Sequence, residues 1–478
     1  MIIPDGSHKD KGDRTLEQWV QEESVMVAKE ILQRIPPAVR QAMTTLDAIE
    51  TGTQSLMRRI GRHITEALMA APVPESSGVC RECASPLRQV DSRRARGTSG
   101  IFGDYDWKRP YLVCPQGHGS DAPQDRVLKL GPGQVSPKLA AIIARIAIDV
   151  PFDQVPDMLE QTLGLVIDGE MVRRVTEKIG SWAESQEQMT IQEAQSGHAA
   201  MPSAPGSGTL FIALDGAMVN TKRARDGHRG WHEGKVGVCA RFEPTPHPLS
   251  TEEKDDAKPS YGSVDYCMGF EPQAEFLARL YAHALQAGLE DPSCRQIVLV
   301  ADGAHWIWEH SATHLRIPGK TWVEILDFYH ASQHIWAVAN AMWPENVAAR
   351  TQWADEVLHR LRHEGGAILD AVWEALLPLT AAAQKVVTGE QAYFTFHHDR
   401  LDYPRYRLAG FPIGSGIIES ACKTVLKQRA SGSGMRWVEA GAQAIATLRA
   451  LQRSGHWQAF WQKDPWAQLA PPSRRIAA

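Results

Sequence analysis

The chain is 478 residues long, 43% hydrophobic and 22% charged, an ordinary globular composition that can bury a sizeable core. Its formal net charge of -5 does not announce a nucleic-acid partner, although an acidic segment such as Glu252-Glu-Lys-Asp-Asp256 can hide a basic face elsewhere. The polar N-terminus offers no signal peptide and no stretch approaches the roughly 18 apolar residues of a membrane span, so a soluble, cytoplasmic protein of two to four domains is expected.

From about Thr15 to Ala71 the periodicity is helical, with Val20, Val25, Ala28, Ile31 and Leu32 forming one apolar stripe, and residues 1–72 read as an N-terminal helical region. Pro72 to Gly78 is a linker by composition. Residues 78–125 then read as a zinc-ribbon-like β module. Cys80-Arg-Glu-Cys83 is one half of a zinc-knuckle spacing, and Cys114-Pro-Gln-Gly-His118 supplies a second half, giving three thiolates and one imidazole for a structural Zn²⁺. The alternative is a module that folds without metal. Between the halves, Arg88, Arg93, Arg94, Arg96, Lys108 and Arg109 suit a DNA-contacting surface. The remaining cysteines, Cys239, Cys267, Cys294 and Cys422, read as small buried hydrophobes.

Residues 133–185 carry three helical pieces, Ser136 to Ile148, Phe152 to Leu163 and Asp168 to about Trp182, with Asp168 as N-cap of the third. This suits a helix-turn-helix whose last helix offers Arg173, Arg174 and Lys178 to DNA, or equally a plain helical bundle with solvated arginines. The Gln, Ser, Gly, Ala and Pro content of Ser185 to Ser207 predicts the best domain boundary in the chain.

Beyond it, strands are predicted at Leu210 to Leu214, Lys235 to Phe242 and Val264 to Phe270, followed by a helix from Pro272 to Gln286. Next come a strand from Gln296 to Ala301, a helical turn from Ala304 to His310 and a strand from Thr321 to Leu326. Three successive strands followed by alternating helix and strand is the element order of a ribonuclease-H-like α/β fold, here over 207–330. Residues 331–405 are almost wholly helical, 406–462 return to the core, and 463–478 form a tail.

Three acids stand where a strand or loop hands over to a turn or helix. They are Asp215 after Thr209-Leu-Phe-Ile-Ala-Leu, Asp302 after Ile297-Val-Leu-Val-Ala, and Glu419 in Gly414-Ser-Gly-Ile-Ile-Glu-Ser-Ala. Taken singly, each Asp-Gly pair is more simply a turn. Taken together, adjacent strands ending in carboxylates and a third acid on a nearby helix can hold two divalent cations, a donor set that Mg²⁺ or Mn²⁺ accepts and that favours phosphodiester chemistry. Lys423 and Lys427 fall four and eight residues after Glu419, on one helical face, as a basic track for a phosphate backbone or as an ordinary amphipathic surface. Asp327, at a strand end before His330, reads as a helix cap or as a group that positions substrate with His330.

Leu214-Asp-Gly-Ala, Val300-Ala-Asp-Gly-Ala, Ile325-Leu-Asp-Phe-Tyr-His, Tyr403-Pro-Arg-Tyr-Arg, Pro412-Ile-Gly-Ser-Gly-Ile-Ile-Glu-Ser-Ala-Cys-Lys and Gly434-Met-Arg-Trp together resemble the bacterial insertion-sequence transposases of the ISKra type, DDE enzymes related to Mutator-like and hAT-like transposases. The resemblance runs from the cysteine module to about Trp461. It implies that Asp215, Asp302 and Glu419 are the catalytic triad, that Asp327 and His330 match an Asp-x-x-His motif, and that a helical insertion precedes the Glu. It also implies a second Cys-x-x-Cys, which this chain lacks at Gly117, so that His118 is the substitute ligand.

The expected function is binding of double-stranded DNA at the element ends, metal-dependent strand cleavage, and transfer to target DNA by at least a homodimer. Lys423, Lys427, Arg429 and Arg436 are then expected along the DNA track, with Trp437 either stacking on a base or packed in the core. The competing readings are a DNA-binding relative without cleavage, acting as a repressor, and a nuclease that does not join strands.

Overall fold

The structure, a computed structural model, describes residues 16–70, 78–80, 82–131, 134–198, 208–223, 227–245, 260–376 and 380–469. The acidic segment 252–256, most of the 72–78 linker and the 470–478 part of the tail lie outside the described residues. The chain divides into two compact units, one of residues 1–143, 153–172 and 464–478, the other of residues 144–152 and 173–463.

The first unit opens with helices α1 (Leu16–Arg34), α2 (Pro37–Ala42) and α3 (Leu46–Met69), the last capped by the Thr45 side chain. The apolar stripe expected on α1 is not buried, since Val25 and Leu32 are exposed. A hairpin of β1 (Arg88–Gly100) and β2 (Gly103–Val113) follows, with the short β3 (Ser120–Asp121) antiparallel to β2. Tyr105 and Trp107 of β2 pack with Met69 and Leu130 in a small core. Helices α4 (Pro123–Val127), α5 (Pro137–Ala147) and α6 (Val155–Leu163) come next, and α6 ends on Gly164 in the left-handed region.

Helix α7 (Gly169–Gln195) starts where the Asp168 carboxylate accepts from the Met171 amide at 2.6 Å, as its N-cap role requires. It does not stop near Trp182. It runs on to Gln195 and buries Ile191 and Ala194 in the core of the second unit, so residues 185–195 are a helix where a boundary was expected. Polar composition misled here because the inward positions are few and one of them is Glu187, paired with a buried arginine. The three helices expected as one module are also shared, because the division between units falls inside α5 and α7.

The second unit is built on a mixed sheet. Strands β4 (Thr209–Arg223), β5 (Gly230–Phe242) and β6 (Tyr261–Gly269) run antiparallel in sequence, and helix α8 (Gln273–Gln286) leads to β7 (Gln296–Ala301), parallel to β4. Helix α9 (His305–Leu315) then crosses to β8 (Thr321–Leu326), parallel to β7, giving the order β6-β5-β4-β7-β8. Leu210 to Leu214 and Ile297 to Ala301 are buried throughout, as continuous apolar runs in central parallel strands require. Cys239, Cys267, Cys294 and Cys422 are buried as expected.

After β8 the chain is helical, through α10 (Phe328–Met342), α11 (Val347–Glu364), α12 (Leu369–Glu374), α13 (Ala381–Phe396) and α14 (Tyr403–Leu408). It returns to the sheet by α15 (Gly416–Ala421), a π-helical stretch Cys422–Lys427, α16 (Gln428–Ala430) and the short β9 (Trp437–Val438), which pairs with β4. The long helix α17 (Glu439–Arg453) and α18 (Trp457–Gln462) complete the unit.

Side chains cover both sheet edges, which otherwise invite strand addition. At β6 the Tyr266 amide donates to Ser454 Oγ at 2.9 Å, and Gln443 Nε2 donates to the Met268 carbonyl at 3.0 Å. At β8 the two tyrosines of Tyr403-Pro-Arg-Tyr-Arg donate to the carbonyls of Leu326 at 3.1 Å and Glu324 at 3.0 Å.

Candidate carboxylate site and cysteine cluster

The strand register sets the first two acids side by side. Leu214 of β4 pairs with Ala301, the last residue of β7, and the next residues along the chain are Asp215, still on β4, and Asp302, just past the end of β7. Asp215 is not at a strand end, because β4 continues to Arg223 as one arm of a long hairpin with β5. What ends there is the pairing with β7, and that leaves the carboxylate at a rim inside a continuous strand. Neither Asp-Gly pair is a hairpin turn.

Each carboxylate has local partners. Asp215 Oδ1 accepts from the Gly216 amide at 2.6 Å, and the Cys422 thiol donates to Oδ2 at 3.5 Å. Asp302 Oδ1 accepts from the Ala304 amide at 3.0 Å, and its carbonyl accepts from Trp308 Nε1 at 2.8 Å, which fixes the turn into α9. Burial, joined by the nearby Asp302 charge, raises the Asp215 pKa above the ordinary carboxylate value; the Gly216 amide, Cys422 and Lys427 oppose this. The same buried Cys422 feels the charges of both Asp215 and Glu419, and burial first pushes its thiol pKa far up, so it is a neutral donor. Sequence reasoning missed this contact, and no pattern in the chain marks it.

Glu419 is exposed on α15. The three carboxylates do not close to metal-ligand spacing: among the described residues, Cys80, Cys83, Cys114 and His118 are the one group of three or more His, Cys, Asp or Glu whose ligand atoms all lie within 4.8 Å of one another.

Asp327 is buried and accepts from the Tyr329 amide at 2.9 Å as the N-cap of α10. Its other oxygen accepts from Ser415 Oγ, in the Gly-Ser-Gly turn that opens the helix of Glu419. His330 is half-buried with its ring 5.1 Å from that of His334.

The basic track is altered. Lys423 and Lys427 are exposed, but they lie in the π-helical stretch, whose wider turn shifts them from the α-helical face expected for residues four and eight after Glu419. Arg449 of α17 stabilises that stretch by donating Nε to the Thr424 and Val425 carbonyls at 2.9 and 3.0 Å. Lys427 acts electrostatically on Asp215. Arg436 is exposed. Arg429 is not on a surface track: it is 2% exposed, donates to the Ala147 carbonyl at 3.0 Å, and lies over the rings of Phe152 and Trp437 at 4.6 and 5.0 Å. Trp437 is 8% exposed, with its indole nitrogen donating to the Ala430 carbonyl at 3.2 Å, so it packs in the core rather than facing a base. Arg173, Arg174 and Lys178 are exposed along α7, with Arg173 paired to Glu177.

The cysteine cluster is compact. Cys83 Sγ is 3.6 Å from Cys114 Sγ, and His118 Nδ1 is 3.8 Å from Cys80 Sγ and 3.7 Å from Cys114 Sγ. A tetrahedral zinc site with bonds of about 2.1 to 2.3 Å has ligand-to-ligand edges of about 3.5 to 3.8 Å, so the spacing fits zinc. Two tight turns build it. The Ala84 amide donates to the Cys80 carbonyl, and the Gly117 amide donates to the Cys114 carbonyl with Gly117 in the left-handed region, φ 77°. Hydrogen bonds from the Ser85 hydroxyl and amide draw the Cys83 thiol down to about 6, toward the thiolate that ligates metal. In the β module, Arg88, Arg93, Arg94 and Lys108 are exposed, whereas Arg96 and Arg109 both engage Asp125.

The chain matches no protein-family model and no curated protein sequence. Among the described residues, no helix is long and apolar enough to cross a membrane.

Proposed function

We propose that this chain is a DDE transposase that binds the ends of its insertion sequence and carries out metal-dependent cleavage and strand transfer of DNA. The observation that carries this reading is the β4–β7 register, which sets Asp215 and Asp302 side by side, where the Asp302 charge adds to the cost of charging Asp215. The strand order β6-β5-β4-β7-β8, with three antiparallel strands followed by two parallel ones, supports a ribonuclease-H-like core interrupted by the helical block before Glu419.

In this reading Asp215 and Asp302 would hold Mg²⁺ or Mn²⁺ through oxygen donors, with Glu419 as the third carboxylate. Bound cations supply an activated attacking oxygen and stabilise the leaving one. Asp327 with Ser415 holds the turn before Glu419, and His330 stands beside it. Lys423, Lys427 and Arg436 meet the phosphate backbone, and the exposed Arg173, Arg174 and Lys178 offer a second basic face. Cys80, Cys83, Cys114 and His118 hold a structural Zn²⁺. Two element ends must be paired, so the working form is at least a homodimer, acting on the bacterial nucleoid.

The test is cleavage of a labelled duplex carrying the DNA that flanks this gene, in Mg²⁺ and Mn²⁺, with wild type against Glu419→Gln. Cleavage at a defined end that vanishes in the variant is expected. Binding without cleavage by both proteins would make the chain a DNA-binding relative, and cleavage without joined products would make it a nuclease.

A further inference from the structure

We propose that the β4–β5 hairpin beyond Asp215 is a DNA-contacting arm, on which Trp231 stacks against a base that has left the duplex stack. This deepens the strand-transfer reading and rests on it for the kind of ligand. The arm is the part of β4 that runs on past its pairing with β7, together with the β5 residues opposite, and its two faces differ. Ala217, Val219 and Thr221 are buried, whereas Met218 is 47% and Trp231 61% exposed. Among the tryptophan side chains that the structure describes, Trp231 is the one exposed to solvent. Tryptophan is buried for the most part and enriched where surfaces bind, so a bare indole calls for a partner.

The strand register groups the exposed residues. Trp231 lies opposite Asn220 and Glu233 opposite Met218, so the four share one face of the ribbon, and Lys222 follows Asn220 on that face. Lys222, His228 and Arg229 are exposed around the turn end of the hairpin. Glu233 carries a negative charge on this face, with Lys235 3.7 Å away. The platform is held in place at its far end, where Thr221 Oγ1 donates to the Gly230 carbonyl at 3.3 Å and β9 pairs with β4 at Thr221 and Arg223.

An exposed indole beside a thioether, flanked by cations, suits unstacked DNA. The indole offers its face to any base, the methionine can wedge beside it, and Lys222 and Arg229 meet phosphates. The arm is also continuous with the carboxylate site. Five residues of β4 separate Asp215 from Asn220, which is about 17 Å of strand. At about 3.4 Å per nucleotide, a base on Trp231 belongs within about five nucleotides of a phosphate held at Asp215.

The test uses the full chain and the labelled flanking duplex carrying 5-iodouracil at one position at a time, a base that crosslinks under ultraviolet light to an aromatic ring stacked on it. A crosslink to Trp231, located by mass spectrometry, is expected within about five nucleotides of the cut. Trp231→Ala should weaken duplex binding roughly 5- to 100-fold at an unchanged melting temperature, and Trp231→Phe should lose less. Neither should change the slope of log affinity against log salt, whereas Lys222→Ala should lower it by about 1. Wild-type affinity in Trp231→Ala, or crosslinks to other residues alone, would overturn the proposal. Crosslinking to Trp231 without any cleavage would keep the arm and overturn the strand-transfer reading, and a wild type that binds no DNA would overturn both.

Discussion

The Ser415 hydroxyl donates to the buried carboxylate of Asp327, joining the turn that opens the helix of Glu419 to the end of β8. The Phe328 amide, donating to the Ile413 carbonyl at 2.9 Å, makes a second link between the same two segments. Asp327 thus caps α10 and fixes the start of α15 at once. Ser415→Ala should lower the unfolding free energy by about 1 to 3 kcal/mol, the range for a hydrogen bond to a charged group, as read from urea unfolding. An unchanged midpoint would show that the link contributes nothing.

A chain of buried charges crosses the second unit from α7 through α8 to β6. Arg279 of α8 engages Glu187 and Glu271, and His283 lies between Glu187 at 2.8 Å and Asp265 at 2.7 Å. Burial opposes the charge on His283, yet the two carboxylates outweigh it and raise its pKa to about 10. A raised folded-state value means that the unfolded chain releases the proton first. The contribution of His283 is therefore whole below about pH 6.5 and lost as pH rises toward 10. Wild type should lose stability across that interval, and His283→Gln should lose less. Parallel pH profiles in urea unfolding would refute the assignment.

The lowered pKa values of Glu187 and Asp265 act in the opposite direction, giving stability that is present above the ordinary carboxylate range and lost in acid. Breaking the network should be expensive, because the buried Arg279 and His283 each lose one of their two carboxylate partners. Glu187→Ala is expected to cost about 3 to 5 kcal/mol in chemical denaturation. A cost below 1 kcal/mol would mean that water already solvates Arg279.

Strands β7 and β8 were legible to the residue: β7 is a short apolar run bounded by polar turns and buried on both faces, and β8 is a β-branched and aromatic run that ends buried at Ile325 and Leu326. The length of β4 was not, because beyond Asp215 its residues alternate and pair with β5 outside the apolar run. The continuation of α7 was hidden for a related reason: hydropathy scores Glu187 as surface, and only its pairing with Arg279 makes it interior. The π-helical turn at Cys422–Lys427 has no local sequence signal, since the Arg449 that satisfies its carbonyls lies some twenty residues on. The four residues of the cysteine cluster were readable because the spacing within each half, Cys80–Cys83 and Cys114–His118, is local.

That cluster predicts one zinc per chain. Elemental analysis of the purified protein should find it, and Cys83→Ser should lower both the zinc content and the melting temperature of the first unit. The loop from Cys83 to Cys114 is then tied by metal, so a strong chelator should have the same effect on wild type. Full stability after chelation, with no zinc found, would leave a module that folds on the Tyr105 and Trp107 core alone.

Arg429 and Lys427 are two residues apart and should fail in different ways. Arg429→Ala removes a guanidinium that fills the space between Phe152 and Trp437 and donates to the Ala147 carbonyl. Its loss should cost about 2 to 4 kcal/mol of stability through lost packing and an unpaired buried carbonyl, while leaving the salt dependence of DNA binding unchanged. Lys427→Ala removes an exposed charge, so stability should stay within about 0.5 kcal/mol. If Lys427 meets a phosphate, the slope of log affinity against log salt should drop by about 1. Measuring duplex binding at several salt concentrations beside urea unfolding separates the two. A changed salt slope for Arg429→Ala with normal stability would return Arg429 to the DNA surface, and an unchanged slope for Lys427→Ala would remove Lys427 from it.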